Sequence, residues 1–200
     1  MGFTACLQEN TKLKVTELRC CNLVNPEGIE NPSLGWKIKT QEQGVVQTAW
    51  EIQIASSNKL LEKGKADVWN SEKQLSDKQF DIIPEGTVFD ETGKYFWRVR
   101  IWDANGTMSS WSEPASFSIG LLNENSWAGK WISYPYSKEL PLPYFRKTFR
   151  TGEEKNATIE RATLYFCGLG AGELYLNGQM VDSTRFLDPA QTNYEQYCSN

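Results

Sequence analysis

The sequence predicts an all-β protein: a two-sheet β-sandwich of the fibronectin type III or immunoglobulin kind, followed by an incomplete second sandwich. Three observations predict this class. Apolar residues alternate with polar ones at period two, which is typical of strands with one buried face. Turn residues recur at the short intervals of a sandwich. Aromatic residues make up 12% of the 200 residues, a composition that favours strands.

The strands of the first domain are identified by their inward-facing apolar residues. The clearest inward positions are Leu34, Trp36 and Ile38, then Trp50, Ile52 and Ile54, then Tyr95, Trp97, Val99 and Ile101. About seven strands are expected before residue 120, the number in a sandwich of this kind. Asn105-Gly106 predicts a hairpin after the third run, because both residue types tolerate a positive φ.

One short helix interrupts the predicted strands. Residues 57–63 lose the alternation, and Gly64 can end a helix there. The hydroxyl of Ser56 or Ser57 is expected to accept hydrogen bonds from the first free amide groups of the helix. The sequence therefore predicts a connecting helix rather than one that builds the core.

A domain boundary is predicted at residues 121–126, where polar residues interrupt the strand pattern. The domains are accordingly residues 11–122 and 123–200. New strands are expected at residues 144–150, 162–167 and 173–176, the last turning at Asn177-Gly178. The second range is shorter than the roughly 100 residues of a complete sandwich. The second domain is therefore predicted to be partial, with an unpaired sheet edge through which copies could associate.

Charge and residue content exclude several classes of function. Lys and Arg total 21 against 25 Asp and Glu, a net charge of −4, so nucleic acid is not an expected partner. The sequence contains no His, which excludes His-based catalytic triads, imidazole bases and His-ligated metal sites. No apolar stretch of the sequence is long enough to predict a membrane span.

The five cysteines predict no framework. Their number is odd and no C-x-x-C spacing occurs, so neither a disulfide scaffold nor a zinc site is expected. Cys20 and Cys21 are neighbours on a predicted strand, so at most one of them should face the core. Cys6 ends Phe3-Thr4-Ala5-Cys6, which resembles the lipid-acceptor site of exported bacterial proteins, although the usual preceding basic and apolar regions do not occur. Lipidation of Cys6 and a chance tetrapeptide are both open interpretations.

Two arginines and two tryptophans form the first candidate site. Arg98 and Arg100 share the outward face of one predicted strand, and Trp102 and Trp111 lie near it in the sequence. Guanidinium groups stack on indole faces, and each contact is worth roughly 0.5–1 kcal/mol at an exposed site. The four side chains could form a binding surface, or a ladder that braces the outer sheet. The brace is preferred, because fibronectin-like domains with a Trp-Ser motif use such residues in this way.

A second candidate set lies after the predicted boundary. Exposed aromatic rings can stack on sugars, so the candidates for carbohydrate contact are Trp127, Trp131, Tyr134 and Tyr136. The simpler interpretation makes Trp127 and Trp131 packing residues at the domain junction. Acidic residues are numerous, but nothing in their spacing identifies the two carboxylates of a glycosidase. No catalytic, cofactor-binding or metal-ligating residue is therefore assigned.

Together these segments resemble one enzyme family. The matching parts of the first domain are residues 25–29, 36, 47–57, 95–103, 111–117 and 120–122. Those of the second domain are residues 127, 130–132, 145–149, 164–170, 173–178, 187–189 and 192–194. In order and spacing they are similar to the N-terminal region of bacterial α-L-rhamnosidases of glycoside hydrolase family 78, over nearly the whole chain from Val15.

The resemblance implies a function. Members of this family release terminal α-L-rhamnose by inverting hydrolysis, with an acid and a base on a helical (α/α)6 barrel beyond the N-terminal domains. These residues are then expected to be accessory domains, inactive alone, which meet carbohydrate through the parent enzyme. The second domain resembles a region that binds rhamnose in some members, sometimes with calcium. The alternative is a stand-alone extracellular carbohydrate-binding or adhesion protein. Export to the periplasm or cell surface is expected.

Overall fold

The computed structural model describes residues 13–134, 143–150, 159, 161–166 and 172–181. The chain divides into two compact units, residues 1–130 and 131–200, which are described separately. The elements of the first unit are β1 (Leu13–Cys20), β2 (Leu34–Thr40), β3 (Gln47–Ala55), α1 (Asn58–Glu62), β4 (Trp69–Asn70), β5 (Lys94–Asp103), β6 (Ala115–Ser118) and a 3₁₀ helix (Glu124–Ser126). The second unit contains β7 (Tyr175–Leu176) and β8 (Gln179–Met180).

Two antiparallel sheets make up the first unit. β1 pairs with β2, and the other sheet has the strand order β4-β3-β5-β6. The described part of this unit has six strands where about seven were expected. An isolated bridge supplies part of the difference, because Ile82 exchanges backbone hydrogen bonds with Leu34 at the free edge of β2. The predicted all-β sandwich is confirmed.

The core lies between the inner faces of the two sheets. Its buried residues are Leu13, Val15, Cys20, Leu34, Trp36, Trp50, Ile52, Ile54, Ile82, Tyr95, Trp97, Val99, Ile101, Phe117 and Ile119. They include nearly all the positions that the alternation predicted to face inward; Ile38 is only half-buried. β3 is buried on both faces over most of its length, because β5 side chains cover its outward residues Glu51 and Gln53.

A buried glutamine ties both sheets to the segment that crosses between them. Trp36 Nε1 donates to Oε1 of Gln47 at 3.0 Å. Gln47 Nε2 donates to the carbonyls of Ser76 at 3.2 Å and Lys78 at 3.0 Å. Buried polar groups need such partners. The Gln47 amide therefore holds residues 76–78 against the sandwich at the point where they pass from one sheet to the other.

The helix α1 forms where it was predicted, but its predicted capping is wrong. Ser57 is the N-cap residue and its hydroxyl makes no capping hydrogen bond. The hydroxyl of Ser56 instead donates to Oδ2 of Asp67 at 2.6 Å, and the Ser56 amide donates to Oδ1 at 2.9 Å. The Asp67 carboxylate, from the loop after the helix, therefore fixes the residue that precedes the N-cap.

The hairpin predicted at Asn105-Gly106 forms with different turn geometry. Gly106 has a φ of 79°, and its amide donates to the carbonyl of Asp103 at 3.0 Å. Oδ1 of Asp103 accepts from the amides of Asn105 at 2.9 Å and Thr107 at 2.7 Å. Asn105 is not among the residues with positive φ in the described part of the chain. The Asp103 carboxylate therefore organises a wider turn than a two-residue hairpin.

Cys20 is the last residue of β1, and Cys21 follows it in a turn, partly buried against the edge of the core. Cys20 is buried in the core, and Cys21 is half-buried with its thiol donating to the carbonyl of Asn31 at 3.2 Å. Burial raises the pKa of the Cys20 thiol to about 12. Cys20 therefore acts as a small apolar core residue. Cys6, Cys167 and Cys198 lie outside the described residues.

The second unit contains the hairpin that Asn177-Gly178 predicted. Asn177 has a φ of 51° and Gly178 a φ of 80°, and the turn joins β7 to β8. The strand predictions at 144–150 and at 162–166 are wrong for these residues, which the structure describes without assigned strand. Alternation can predict an extended segment, but a strand also needs a paired neighbour to satisfy its backbone groups.

Candidate functional site

The candidate site is a row of stacked side chains on the outer face of the four-stranded sheet, called the ladder below. Its members are Arg98, Arg100 and Trp102 of β5, Trp111 beyond the hairpin, and Lys73 after β4. The antiparallel register places Glu51 of β3 opposite Arg100, and Gln53 opposite Arg98. Each arginine can therefore reach an acceptor on the neighbouring strand β3.

Both arginines are bound to β3. Arg100 Nη2 lies 2.6 Å from Oε2 of Glu51, and its Nε donates to the same oxygen at 2.8 Å. The Glu51 side chain is 9% exposed, so water screens this pair weakly. Arg98 donates from Nε and Nη2 to Oε1 of Gln53 at 3.1 and 2.8 Å. One arginine is thus paired with a carboxylate and the other with a neutral amide.

The environment of Arg98 disfavours its charge relative to water. Burial is the main cause that lowers the pKa of Arg98, the charge of Arg100 adds to it, and the charge of Glu51 opposes it. A guanidinium nevertheless remains protonated in proteins. Arg98 therefore stays a cation whose burial needs compensation from its neighbours, and an aromatic ring supplies part of it.

Two serines attach the Trp111 segment to β5. The Ser109 hydroxyl oxygen accepts from the Ile101 amide at 3.0 Å, and that of Ser112 accepts from the Val99 amide at 3.1 Å. The serine amides in turn donate to the carbonyls of Ile101 and Val99, both at 2.9 Å. These four bonds replace regular strand pairing along this part of β5. They place Trp111 above the outer face of the sheet.

The aromatic rings lie between the cations. The Trp111 ring centroid is 4.4 Å from Cζ of Arg98 and 4.5 Å from Cζ of Arg100. Arg100 also lies 5.3 Å from the Trp102 ring, over which Lys73 Nζ sits at 4.5 Å. The structure thus brings together all four residues that the sequence identified. Lys73 was not foreseen, because its approach depends on how the segment after β4 runs.

The chemistry of the ladder favours structural support. Nε and Nη2 of both arginines are bound to β3, and a cation lies over each indole ring. Each cation–aromatic contact is worth roughly 0.5–1 kcal/mol at an exposed site. A sugar that stacked on the cation-covered face of Trp111 or Trp102 would have to displace these contacts. The interpretation as a brace stays a prediction, and the geometry is consistent with it.

A second group of contacts holds the segment that leaves the sandwich. Oε1 of Glu91 accepts from the amides of Leu122 at 3.1 Å and Asn123 at 2.8 Å. Its Oε2 accepts from the hydroxyl of Ser126. The Ser126 bond is the largest cause that lowers the pKa of Glu91, and the Asn123 and Leu122 donors add to it. One carboxylate therefore sets the course of residues 122–126, which sequence reasoning did not foresee.

The turn that carries Glu91 is itself anchored to the core. The amide of Asp90 donates to the phenolic oxygen of Tyr95 at 2.8 Å. The Phe89 ring packs edge-on against Tyr95 and Phe117, with centroids 4.9 and 5.5 Å apart. These contacts connect residues 122–126, here called the exit segment, through Glu91 to an aromatic cluster of the sandwich.

The candidates for carbohydrate contact are exposed where the structure describes them. Trp127 is 41% exposed, Trp131 71% and Tyr134 54%. Tyr136 lies outside the described residues, as does Cys6, the candidate for lipidation. The alternative that Trp127 and Trp131 pack at a domain junction concerns two separate units and stays a prediction.

The described residues contain no group of three or more His, Cys, Asp or Glu side chains that could hold a metal ion. Within the same residues, no helix has the length and apolar character needed to cross a membrane.

Comparison with known proteins assigns the chain to a family. Residues 15–123 match the family model for the Rha78A-like N-terminal immunoglobulin domain. Residues 157–199 match the model for the alpha-L-rhamnosidase N-terminal domain. The chain therefore belongs to the family formed by the N-terminal region of α-L-rhamnosidases, and the resemblance in the sequence is confirmed.

Several relatives are similar over most of this chain. An alpha-L-rhamnosidase of Formosa agariphila is 35% identical over 194 residues, which are 86% of this chain and 20% of the relative. One from Alteromonas sp. is 32% identical over 197 residues, or 93% of this chain and 20% of the relative. The chain thus spans about a fifth of the length of these curated relatives.

Solved structures match part of the chain. The alpha-L-rhamnosidase from Dictyoglumus thermophilum has a TM-score of 0.58 at 35% identity, covering 61% of this chain and 14% of that one. The Streptomyces avermitilis alpha-L-rhamnosidase complexed with L-rhamnose has a TM-score of 0.57 at 35% identity, covering 62% of this chain and 12% of that one.

Proposed function

We propose that this chain is the non-catalytic N-terminal accessory region of an α-L-rhamnosidase that hydrolyses terminal α-L-rhamnose from glycosides. The observation that carries the proposal is the match of both parts of the chain to domains of such enzymes. The chemistry of the ladder is compatible with it. Inverting hydrolysis needs two carboxyl groups facing one another across a cleft. Glu51, the carboxylate that the ladder contacts, is bound to Arg100 instead.

The accessory role is inferred from the rigidity of the first sandwich. The ladder stiffens the outer face of the sandwich, and the Glu91 contacts direct residues 122–126 out of it. A domain that is stiff and has an anchored exit can hold the next domain in one orientation. We therefore assign the first sandwich to positioning within the parent enzyme, with rhamnosides reached through that enzyme. We further propose export to the periplasm or cell surface.

Activity of the isolated chain tests the proposal. The purified 200-residue chain is incubated with p-nitrophenyl α-L-rhamnoside, with a full-length α-L-rhamnosidase as the positive control. We expect no release of nitrophenol, because the acid and base belong to a different domain. Turnover above background that persists through repurification would overturn the non-catalytic assignment.

The exposure of Trp131 and Tyr134 favours a second candidate function, a stand-alone carbohydrate-binding or adhesion protein. Calorimetry with L-rhamnose, with and without calcium, tests whether this chain binds the sugar itself. Absence of binding heat would count against the second candidate. Binding that Trp131→Ala abolishes, and that the control Leu75→Ala at another exposed apolar residue retains, would assign sugar binding to the second unit. Calcium-dependent binding would further show that the ion is a cofactor of the second unit.

A further inference from the structure

The outer face of the smaller sheet carries a row of cations that neither the ladder nor the proposed function uses. The facing pairs along this row are Lys14 with Lys39, Thr16 with Lys37, and Arg19 with Gly35. Outward residues two apart on a strand are separated by about 7 Å. The four cations therefore form a continuous strip over β1 and β2, called the basic face below.

The charge of the basic face opposes that of the whole chain. Glu17 is the one acidic residue in β1 and β2. Its Oε2 lies 2.7 Å from Lys37 Nζ and 4.0 Å from Arg19 Nη2. One carboxylate is thus shared between two of the four cations, and the strip remains positive. The net charge of the chain is −4, so the positive strip is a local feature.

The pair of lysines at one end of the row weakens the sheet. Like charges directly opposite one another on neighbouring strands destabilise the pairing. Lys14 and Lys39 are both exposed, and neither has an ion pair within the described part of the chain. The repulsion between them would be relieved by an anion bound across the pair.

An exposed aromatic ring lies at the other end of the row. Gly35 has no side chain, and a Cβ placed there would lie 3.3 Å from the Cα of Phe80 and 3.5 Å from its Cβ. Phe80 is 71% exposed. The Cα and Cβ of Phe80 therefore lie beside the outward position of Gly35, which shares a face with Lys37 and Lys39. An apolar ring next to a row of cations offers a stacking surface and anion contacts together.

We propose that the basic face binds an anionic polysaccharide, with sulfate or carboxylate groups on Lys14, Lys39 and Lys37 and one sugar ring stacked on Phe80. Charge complementarity with a linear polyanion carries this choice. Nucleic acid is a poorer match, because four cations in a chain of negative net charge cannot replace an extended phosphate-binding surface. The proposal does not depend on rhamnosidase activity in the parent enzyme.

Binding of defined polymers tests the proposal. Calorimetry of the chain at low salt compares dextran sulfate and polygalacturonate with uncharged dextran. We expect binding to at least one polyanion, no binding to dextran, and a marked loss of affinity when salt is raised from about 50 to 200 mM. The two polyanions separate recognition of sulfate from recognition of carboxylate. Absence of binding to both, or equal binding to dextran, would overturn the proposal.

Matched variants locate the site. The double variant Lys14→Gln with Lys39→Gln should bind the polyanion about ten-fold more weakly. The control Lys59→Gln with Lys63→Gln removes the same charge from exposed residues of α1 and its C-cap and should retain binding. Phe80→Ala should weaken binding with little effect on the salt dependence. Equal losses in the lysine pair and its control would reject the basic face, as would single-stranded DNA binding as tightly as the polysaccharide.

Folding stability supplies a readout independent of binding. Removing Lys14 and Lys39 removes a repulsion, so the melting temperature of the double variant should stay equal or rise. Weakened binding with preserved stability supports the proposal. If weakened binding came with a lower melting temperature, the loss of binding would be due to damaged structure and would count against the proposal. None of these outcomes depends on the rhamnoside assay, so failure of the two proposals can be distinguished.

Discussion

Apolar and polar residues alternate between the two faces of β5, but the two faces are stabilised by different interactions. The inward side chains of Trp97, Val99 and Ile101 pack without directional partners among the described residues. The outward Arg98 and Arg100 each require a particular acceptor on β3. Apolar burial is proportional to area and tolerates many neighbours, whereas a guanidinium needs donors and acceptors aligned. The inner face can therefore be predicted from pattern alone, and the outer face depends on register.

The largest expected effect is on the inner face. Trp97 is fully buried, and Trp97→Ala should lower the free energy of unfolding by about 3–5 kcal/mol, measured by urea denaturation. Its Nε1 is buried with no hydrogen-bond partner among the described residues. Trp97→Phe should therefore be much milder, since no hydrogen bond is lost. An equal loss in both variants would show that the indole nitrogen has a partner.

The next largest effect is on the ion pair of the outer face. Glu51→Gln leaves Arg100 without its counter-charge and should lower the free energy of unfolding by about 2 kcal/mol. The matched control is Gln53→Glu, which gives Arg98 a carboxylate at the equivalent position and should be neutral or stabilising. Denaturation of both variants at neutral pH makes the comparison. If Gln53→Glu destabilises as much as Glu51→Gln, register is not what pairs these side chains.

A smaller effect is expected at the aromatic ring of the ladder. Trp111→Leu keeps an apolar side chain but removes the indole face above both arginines, so it should lower the free energy of unfolding by about 1–2 kcal/mol. A double-mutant cycle with Arg98→Gln should give a coupling energy of about 0.5–1 kcal/mol. A coupling energy of zero would mean that Trp111 stabilises the sheet by burial alone.

The smallest effect concerns pH at the exit segment. Because the folded pKa of Glu91 is lowered, its contacts are complete above the ordinary pKa of 4.5 and are lost as pH falls through the lowered value. The amide proton shifts of Leu122 and Asn123 should titrate below pH 4.5 in NMR spectra. Glu91→Gln should abolish that titration while the sandwich core stays unchanged. Titration that survives the substitution would place the responsible carboxylate elsewhere.

Whether a contact could be predicted from the sequence depended on how far apart its residues lie along the chain. Asn177-Gly178 predicted its hairpin because a turn is decided by the φ values of two adjacent residues. The predicted serine cap does not form at Ser57, and the contact of Ser56 with Asp67, eleven residues away, was not foreseen. The Gln47 contacts to Ser76 and Lys78 were not foreseen either, since nothing local marks a glutamine as buried.

The amino-acid sequence by itself determined the all-β class, the inward face of β5, the position of α1 and the family. These depend on side-chain period and on motifs of neighbouring residues, which are properties of the chain in one dimension. Tertiary structure decided which acceptor each arginine meets, that Lys73 joins the ladder, that Glu91 holds residues 122–126, and that Lys14 faces Lys39. Each of these contacts joins residues distant in sequence, and only the pairing register of the strands and the path of the loops bring them within a few ångströms.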